Sequence, residues 1–177
     1  MNLILIGYRG AGKTTIGEIL ARRMGWHFVD LDDMISRRAG KSIAEVFETE
    51  GESGFRRRER ETCELLRKSR NQVIALGGGT LVEPENRNLV KRIGKAVWLK
   101  APAAVLWSRI SRDKSSALRR PNLTAGGGLD EVEKTLHERE AVYAAVAAHV
   151  VETTVDSPEA VAEAIEMWFA ANDSESG

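Results

Sequence analysis

Apolar residues along the chain follow two rhythms. Short runs of strand length, Leu3-Ile4-Leu5-Ile6, Trp26-His27-Phe28-Val29-Asp30, Gln72-Val73-Ile74-Ala75-Leu76, Ala96-Val97-Trp98-Leu99 and His149-Val150-Val151, are rich in branched and aromatic side chains. Between them the spacing turns helical. Ile16, Ile19, Leu20 and Met24 recur at three- and four-residue steps, and Val161, Ala164, Ile165 and Trp168 form one stripe near the end. The punctuation agrees. Gly25 stands where a helix C-cap is expected, and Ser42-Ile43-Ala44-Glu45 is a capping box with Gly40 just before it. Gly51-Glu52-Ser53-Gly54 breaks that helix from a highly charged one starting near Phe55. Pro102 suits the first turn of a helix, residues 129–148 read as another, and Asp156-Ser157-Pro158-Glu159 opens the last with a cap, proline at N1 and an acid.

Strands alternating with helices predict an α/β fold of three layers, α/β/α, around a five-stranded parallel sheet. The 177 residues suffice for one such domain, expected over 1–171, with the polar residues 172–177 frayed as a disordered tail. The segment from about 111 to 128 has no apolar periodicity. It holds Arg112, Lys114, Arg119, Arg120 and Pro121 and closes on Gly126-Gly127-Gly128. A long basic loop with a glycine hinge reads as a mobile lid.

The chemistry begins at the end of the first strand. Gly7-Tyr8-Arg9-Gly10-Ala11-Gly12-Lys13-Thr14 has the form G-x-x-x-x-G-K-[ST] in the strand-to-helix setting of a phosphate-binding loop. Its glycines let backbone N–H groups face an anion, and the following helix adds its positive end. Residues Gly10, Ala11, Gly12, Lys13, Thr14 and Thr15 are therefore candidates to bind a nucleoside triphosphate, with Lys13 on the β- and γ-phosphates and the Thr14 hydroxyl on Mg²⁺. The topology is that of a P-loop NTPase.

Further candidates stand at the ends of the next strands, where open α/β sheets bind ligands. Asp30, Asp32 and Asp33 follow the second strand, and Asp33 reads as the residue that caps the next helix. Gly77-Gly78-Gly79 follows the third, which suits close approach of backbone to a ligand. In the charged helix, Arg57, Arg58 and Arg60 read as a solvated face, and Arg56, beside Phe55, as the arginine that turns inward. The tryptophans Trp26, Trp98, Trp107 and Trp168 read as core. Cys63 cannot support a disulfide framework and reads as an incidental helix residue of a reducing cytosol. The 26 basic and 26 acidic residues cancel, so no overall field draws the chain to nucleic acid or an anionic membrane. The chain opens on a strand without a signal or transit segment, and no apolar run approaches spanning length, so a cytoplasmic location is expected.

With these pieces in place the chain resembles the shikimate kinase family. The resemblance rests on an ordered set covering nearly the whole length: GYRGAGKTT, FVDLDD, SIAEVFETEGESGFRRRE, LGGGT, LRRPNL, HEREAVY and DSPEAV. It implies transfer of the γ-phosphate of ATP to the 3-hydroxyl of shikimate, with Mg²⁺ as cofactor, in a monomer whose partners are the two small molecules and neither nucleic acid nor membrane. It also implies roles. Asp30 resembles the acid that holds Mg²⁺ through water, and Asp32 the acid that contacts the shikimate hydroxyls and orients or deprotonates the attacking one. Arg56 and Arg139 resemble the pair that grips the shikimate carboxylate, with Gly78 as the backbone donor beside it. Arg120, before Pro121, matches the lid arginine on the phosphates. Phe47 and Phe55 match the apolar wall of the acceptor pocket. Pro158 matches the loop facing adenine, with Arg109 or Arg112 on its other side. Unlike many P-loop enzymes, the third strand, Val73-Ile74-Ala75-Leu76, ends without an acid for the metal shell.

Rival readings lack their own marks. A gluconate-type kinase, the nearest alternative, predicts a histidine soon after the second-strand acids, where Asp30-Leu31-Asp32-Asp33-Met34 has none. A nucleoside monophosphate kinase leaves the triple glycine and Asp32 without a task. A GTP-dependent switch predicts an N-K-x-D motif, which the chain lacks.

Overall fold

The computed structural model describes residues 1–113 and 128–173. Its strands are β1 (Leu3–Ile6), β2 (His27–Asp30), β3 (Gln72–Ala75), β4 (Lys95–Lys100) and β5 (His149–Glu152). Its helices are α1 (Lys13–Met24), α2 (Leu31–Ala39), α3 (Ile43–Leu66), α4 (Pro84–Ile93), α5 (Ala103–Arg112), α6 (Leu129–Val146) and α7 (Pro158–Asp173), with a short 3₁₀ turn at Thr80–Val82. The strands form one sheet in the order β2-β3-β1-β4-β5, and every pairing is parallel.

The apolar runs explain the layers. A central parallel strand is covered on both faces, so it reads as continuous apolar sequence rather than alternation. All four residues of β1 are buried. Ile4 and Ile6 join Ile74, Leu76, Ala96 and Trp98 on the face covered by α2, α3 and α4. Leu3 and Leu5 join Val73, Val97 and Leu99 on the face covered by α1, α5 and α7. Burying each such side chain contributes about 1.5–3 kcal/mol relative to leaving it in water. The strand order reverses about β1. Because α1 leaves β1 toward one face and α4 follows β3 on the other, a crevice opens beyond the carboxyl ends of β1 and β3.

Several local expectations are corrected. The last helix buries Val161, Ala162, Ile165 and Phe169, so its stripe is rotated from the one expected, and Ala164 is exposed. Trp168 is half-buried and stacks on His149 at 4.7 Å between ring centres. That helix runs through Asp173, and the Asn172 carbonyl accepts a hydrogen bond from Lys95 Nζ; residues 174–177 of the expected tail lie outside the described residues. Cys63, read as an incidental helix residue, does lie on a helix but belongs to the core. It is fully buried in the core, and burial pushes its thiol up to about 12. Helix α4 occupies a stretch to which the periodicity assigned no element. The break at Gly51 is borne out: α3 is two helices meeting at that residue, whose φ of 67° and ψ of −175° are not helical.

One side chain ties the sheet's amino-terminal edge together. Asn2 is fully buried and donates to the carbonyls of Ser69 (3.0 Å) and Ile93 (3.1 Å), while its Oδ1 accepts from the Gln72 N–H (3.2 Å). It thus joins the turns that lead into β3 and β4. We expect Asn2→Ala to cost about 2–4 kcal/mol, because buried groups lose their partners. Denaturant unfolding measures the loss, and catalysis on the opposite edge should be unchanged. A loss below about 0.5 kcal/mol, the scale of a neutral surface change, would contradict this role.

Candidate active site

The loop from Gly7 to Gly12 turns back over the end of β1. Gly7, Gly10 and Gly12 take φ of 140°, 81° and 94°, in the region that favours glycine. Gly7 needs its bareness twice, since a Cβ there would lie 2.5 Å from the Leu99 carbonyl oxygen of β4. Helix α1 starts at Lys13 with no side-chain cap and no acid in its first turn. Its positive end is therefore left to an incoming anion. The Lys13 ammonium donates to the carbonyls of Gly7 (2.8 Å) and Tyr8 (3.0 Å), which holds it across the mouth of the loop.

A cleft of about 680 Å³ opens above this loop. The predicted residues Gly10, Ala11, Gly12, Lys13, Thr14, Thr15, Asp30, Asp32, Gly78 and Pro158 all line it. Asp30 also does a structural task assigned to another residue. Its Oδ1 accepts from the N–H groups of Asp32 (3.0 Å) and Asp33 (3.4 Å), so Asp30, not Asp33, is the N-cap of α2. The cap aims the first turn of α2, and with it Asp32, at the cleft. Arg109 lines the cleft too. Its guanidinium donates to Gly10 O (3.3 Å) and to Thr153, joining the phosphate loop to the segment before Pro158. Arg112 is exposed. Of the two arginines considered for the adenine side, Arg109 is the one at the cleft. Arg120 and most of the predicted lid lie outside the described residues, and Arg112 ends α5.

The second group of residues meets at the triple glycine. Arg139 on α6 donates to Gly78 O at 2.9 Å, and the buried Tyr143 hydroxyl donates to the same oxygen at 2.6 Å. Arg56 on α3 donates to Gly79 O at 3.3 Å. A Cβ on Gly79 would lie 3.4 Å from Arg56 Nη2 and 3.7 Å from Arg139 Nη2. Residues far apart in sequence thus place two guanidiniums on adjacent glycines. In this state Gly78 presents its carbonyl as an acceptor, whereas the resemblance implied its N–H as a donor. Phe47 and Phe55 stack on each other at 4.5 Å between ring centres. Phe55 is buried with Arg56 5.5 Å from its ring, and Phe47 is partly exposed; neither is among the residues lining the cleft.

The supporting residues were not legible as such. Glu59, buried one turn beyond Arg56, accepts from Arg56 Nη1 at 2.6 Å and from the Thr80 hydroxyl at 2.7 Å. Burial pushes the Glu59 carboxyl up, with the Arg56 charge and the Thr80 hydrogen bond pulling the other way. Burial also opposes the charge on Arg56, but Glu59 and Glu52 outweigh it and its pKa is raised. Tyr8 lies under Arg139, 5.7 Å from ring centre to guanidinium carbon, and Arg9 pairs with buried Glu131 at 3.6 Å. The only sequence cue was spacing: Glu59 stands three residues after Arg56 on a helix. Arg58, expected on a solvated face, is half-buried and paired with Glu50.

The donors at the cleft suit a hard cation held largely through phosphates. Thr14 offers a hydroxyl and Asp30 and Asp32 offer carboxylates, and among the described residues no cluster of three or more His, Cys, Asp or Glu forms a cage.

Comparisons with known proteins agree with this geometry. The family model described as shikimate kinase matches residues 9–169. The shikimate kinase of Rhodopirellula baltica is 45% identical over 146 residues, 82% of this chain and 78% of that protein. The structure of the Acinetobacter baumannii shikimate kinase in complex with shikimate superposes with a TM-score of 0.88 at 35% identity, covering 97% of this chain and 93% of that one. A gluconokinase from Sinorhizobium meliloti, at TM-score 0.59 and 18% identity over 99% and 97% of the two chains, shares the fold alone.

The Glu59 contacts generate a prediction. Glu59→Gln keeps the shape and the Thr80 contact but removes the charge that holds Arg56. With shikimate as the probe, KM should rise about fivefold to thirtyfold, the equivalent of 1–2 kcal/mol of weakened charged hydrogen bonding. The KM for ATP should not move. An equal loss on both substrates would assign Glu59 to general folding rather than to Arg56.

Proposed function

The chain belongs to the shikimate kinase family, and on that premise we propose that it carries the γ-phosphate of ATP to the 3-hydroxyl of shikimate, giving shikimate 3-phosphate and ADP. The observation that carries the reading is the meeting of Arg56 and Arg139 at Gly78 and Gly79, beyond a phosphate-binding loop and beside a cleft lined by Asp32. Planar guanidiniums suit a carboxylate held by two hydrogen bonds. A carboxylate-bearing polyol is the acceptor that uses both arginines and the acid.

Phosphoryl transfer asks for position and charge neutralisation more than for covalent work. The backbone of Gly10–Thr15 and the start of α1 hold the phosphates, and Lys13 exchanges its loop carbonyls for the β- and γ-oxygens. Mg²⁺, when bound, neutralises phosphate charge, with Thr14 and, through water, Asp30 as the residues that hold it. Arg120 is assigned to the phosphates by its match to the family's lid arginine. Pro158 and Arg109 flank the adenine. Asp32 faces the acceptor hydroxyl and orients it or takes its proton. The enzyme is proposed to work as a cytoplasmic monomer on small molecules, without nucleic acid or membrane; among the described residues no helix is long and apolar enough to cross a bilayer.

A coupled assay of ADP release with shikimate, gluconate and nucleoside monophosphates tests the reading. Shikimate should be the only good acceptor, and turnover of either other class without shikimate would end it. Lys13→Met should nearly abolish transfer with the fold intact, because it removes charge from the transition state. Near-native turnover in this variant would reject the loop's role.

The acceptor assignments separate by kinetics. Arg56→Lys and Arg139→Lys keep charge but lose the fork, so each should weaken shikimate binding by about 1.5–3 kcal/mol and spare ATP. Asp32→Asn should lower kcat about 10²–10⁴-fold with shikimate still bound if Asp32 takes the proton. A small kcat effect with weaker affinity would make it an orienting group. Arginine variants that bind shikimate normally and lose ATP instead would overturn the placement of the acceptor site.

A further inference from the structure

Helix α3 changes direction at Gly51, and this bend separates two functional pieces. Residues 43–50 belong with α2. Ser36 Oγ donates to Lys41 O at 2.6 Å, Ser42 and Glu45 form the capping box, and Ser36, Ser42 and Ile43 line the cleft together with Asp32. Residues 52–66 belong with the core. Phe55, Cys63 and Leu66 are buried there, and Glu59 ties Arg56 to Thr80. The angle at Gly51 therefore sets where the Ser42–Ile43 side of the cleft stands relative to Arg56.

That angle is held by a forked ion pair. Arg58 Nε donates to Glu50 Oε2 at 2.8 Å, and Arg58 Nη2 donates to Glu50 Oε1 at 2.7 Å. The residues are eight apart. On a continuous helix they would sit about 12 Å apart along the axis, so this contact exists only because of the bend. Glu50 lies tightly against the second half, where a Cβ on Gly54 would stand 2.4 Å from its own Cβ. The Phe47–Phe55 stack crosses the same bend. Both partners are largely shielded, with side-chain exposures of 29% for Arg58 and 17% for Glu50, and solvent screens them less than an open surface pair.

We propose that Glu50 and Arg58 are positioning residues for the acceptor half of the cleft: their fork across Gly51 fixes the angle between the halves of α3 and so the gap between the Ser42–Ile43 side of the cleft and Arg56. The inference rests on the reading of Arg56 and Arg139 as acceptor-binding arginines. Neither Glu50 nor Arg58 lines the cleft, so they act through the residues they place.

Steady-state kinetics on the full chain, with Glu50→Ala, Arg58→Ala, the double variant and Arg58→Lys, test it. Each alanine variant should raise the shikimate KM about three- to tenfold, the scale of coupling between contacting groups. The double variant should be no worse than the poorer single one, and Arg58→Lys, which keeps charge without the fork, should fall between. The ATP KM and kcat should stay within about twofold, in the pattern of lost acceptor binding. A lowered melting temperature with an unmoved shikimate KM would overturn the proposal, since a merely stabilising pair predicts that result. Additive effects in the double variant, or an equal rise in both KM values, would overturn it too. Arg139→Lys, run alongside, separates the two levels: a normal shikimate KM there rejects the acceptor reading, whereas its loss beside normal Glu50 and Arg58 variants rejects only the fork.

Discussion

Everything at this site depends on how β1 ends. The strand lies between β3 and β4, so the chain leaving it must turn sharply in a space already bounded by neighbouring backbone. Three residues at positive φ make that turn, and the first lies where a side chain would strike the Leu99 carbonyl. The result is an uncapped helix start with a lysine held across its mouth. A phosphate site of this kind is made of backbone, so its shape comes from packing against β4 as much as from its own residues.

The triple glycine works by a different physical route. None of Gly77, Gly78 and Gly79 takes the left-handed backbone that favours glycine. What matters at Gly78 and Gly79 is the room their missing side chains leave for guanidinium groups and the carbonyls they present. Two arginines brought so near each other repel, and burial makes the repulsion stronger. The protein answers with Glu59 against Arg56, with glycine carbonyls as acceptors, and with the Tyr8 ring beneath Arg139. The loop after β1 and the triple glycine are thereby joined physically, since Tyr8 belongs to that loop and Arg139 reaches Gly78.

One wall of the cleft is carried differently from the loop after β1. Asp32 sits on α2, which Asp30 caps and which packs Leu31 and Ile35 on the sheet, while the Ser42–Ile43 side of the cleft leads into the bent helix α3. A backbone cradle inside a sheet is stiff, whereas a wall hung from a glycine bend takes its position from side-chain contacts across the bend. The Phe47–Phe55 stack and the Glu50–Arg58 fork are those contacts. Charges that look like surface decoration in the sequence are here part of the scaffold of the site.

The five strands, the phosphate loop, the break at Gly51 and the inward turn of Arg56 were legible in the sequence, because each is written in a local pattern. Apolar runs report burial on both faces, glycines report backbone that other residues resist, and a capping box closes within one turn. Partnership was not legible. That Asp30 rather than Asp33 caps α2 depends on loop geometry, and the stripe on α7 is rotated because its neighbours α1 and β5 choose the face. The match of Arg58 to Glu50, of Arg56 to Glu59 and Thr80, and of Arg139 to Gly78 is decided by where tertiary packing sets the helices. An arginine has the same local signature whether it faces water or a buried carboxylate. The sequence by itself determined the strands and the glycine-rich turn that follows the first of them; only the tertiary structure decided which charges meet, because a charge finds its partner through space and not along the chain.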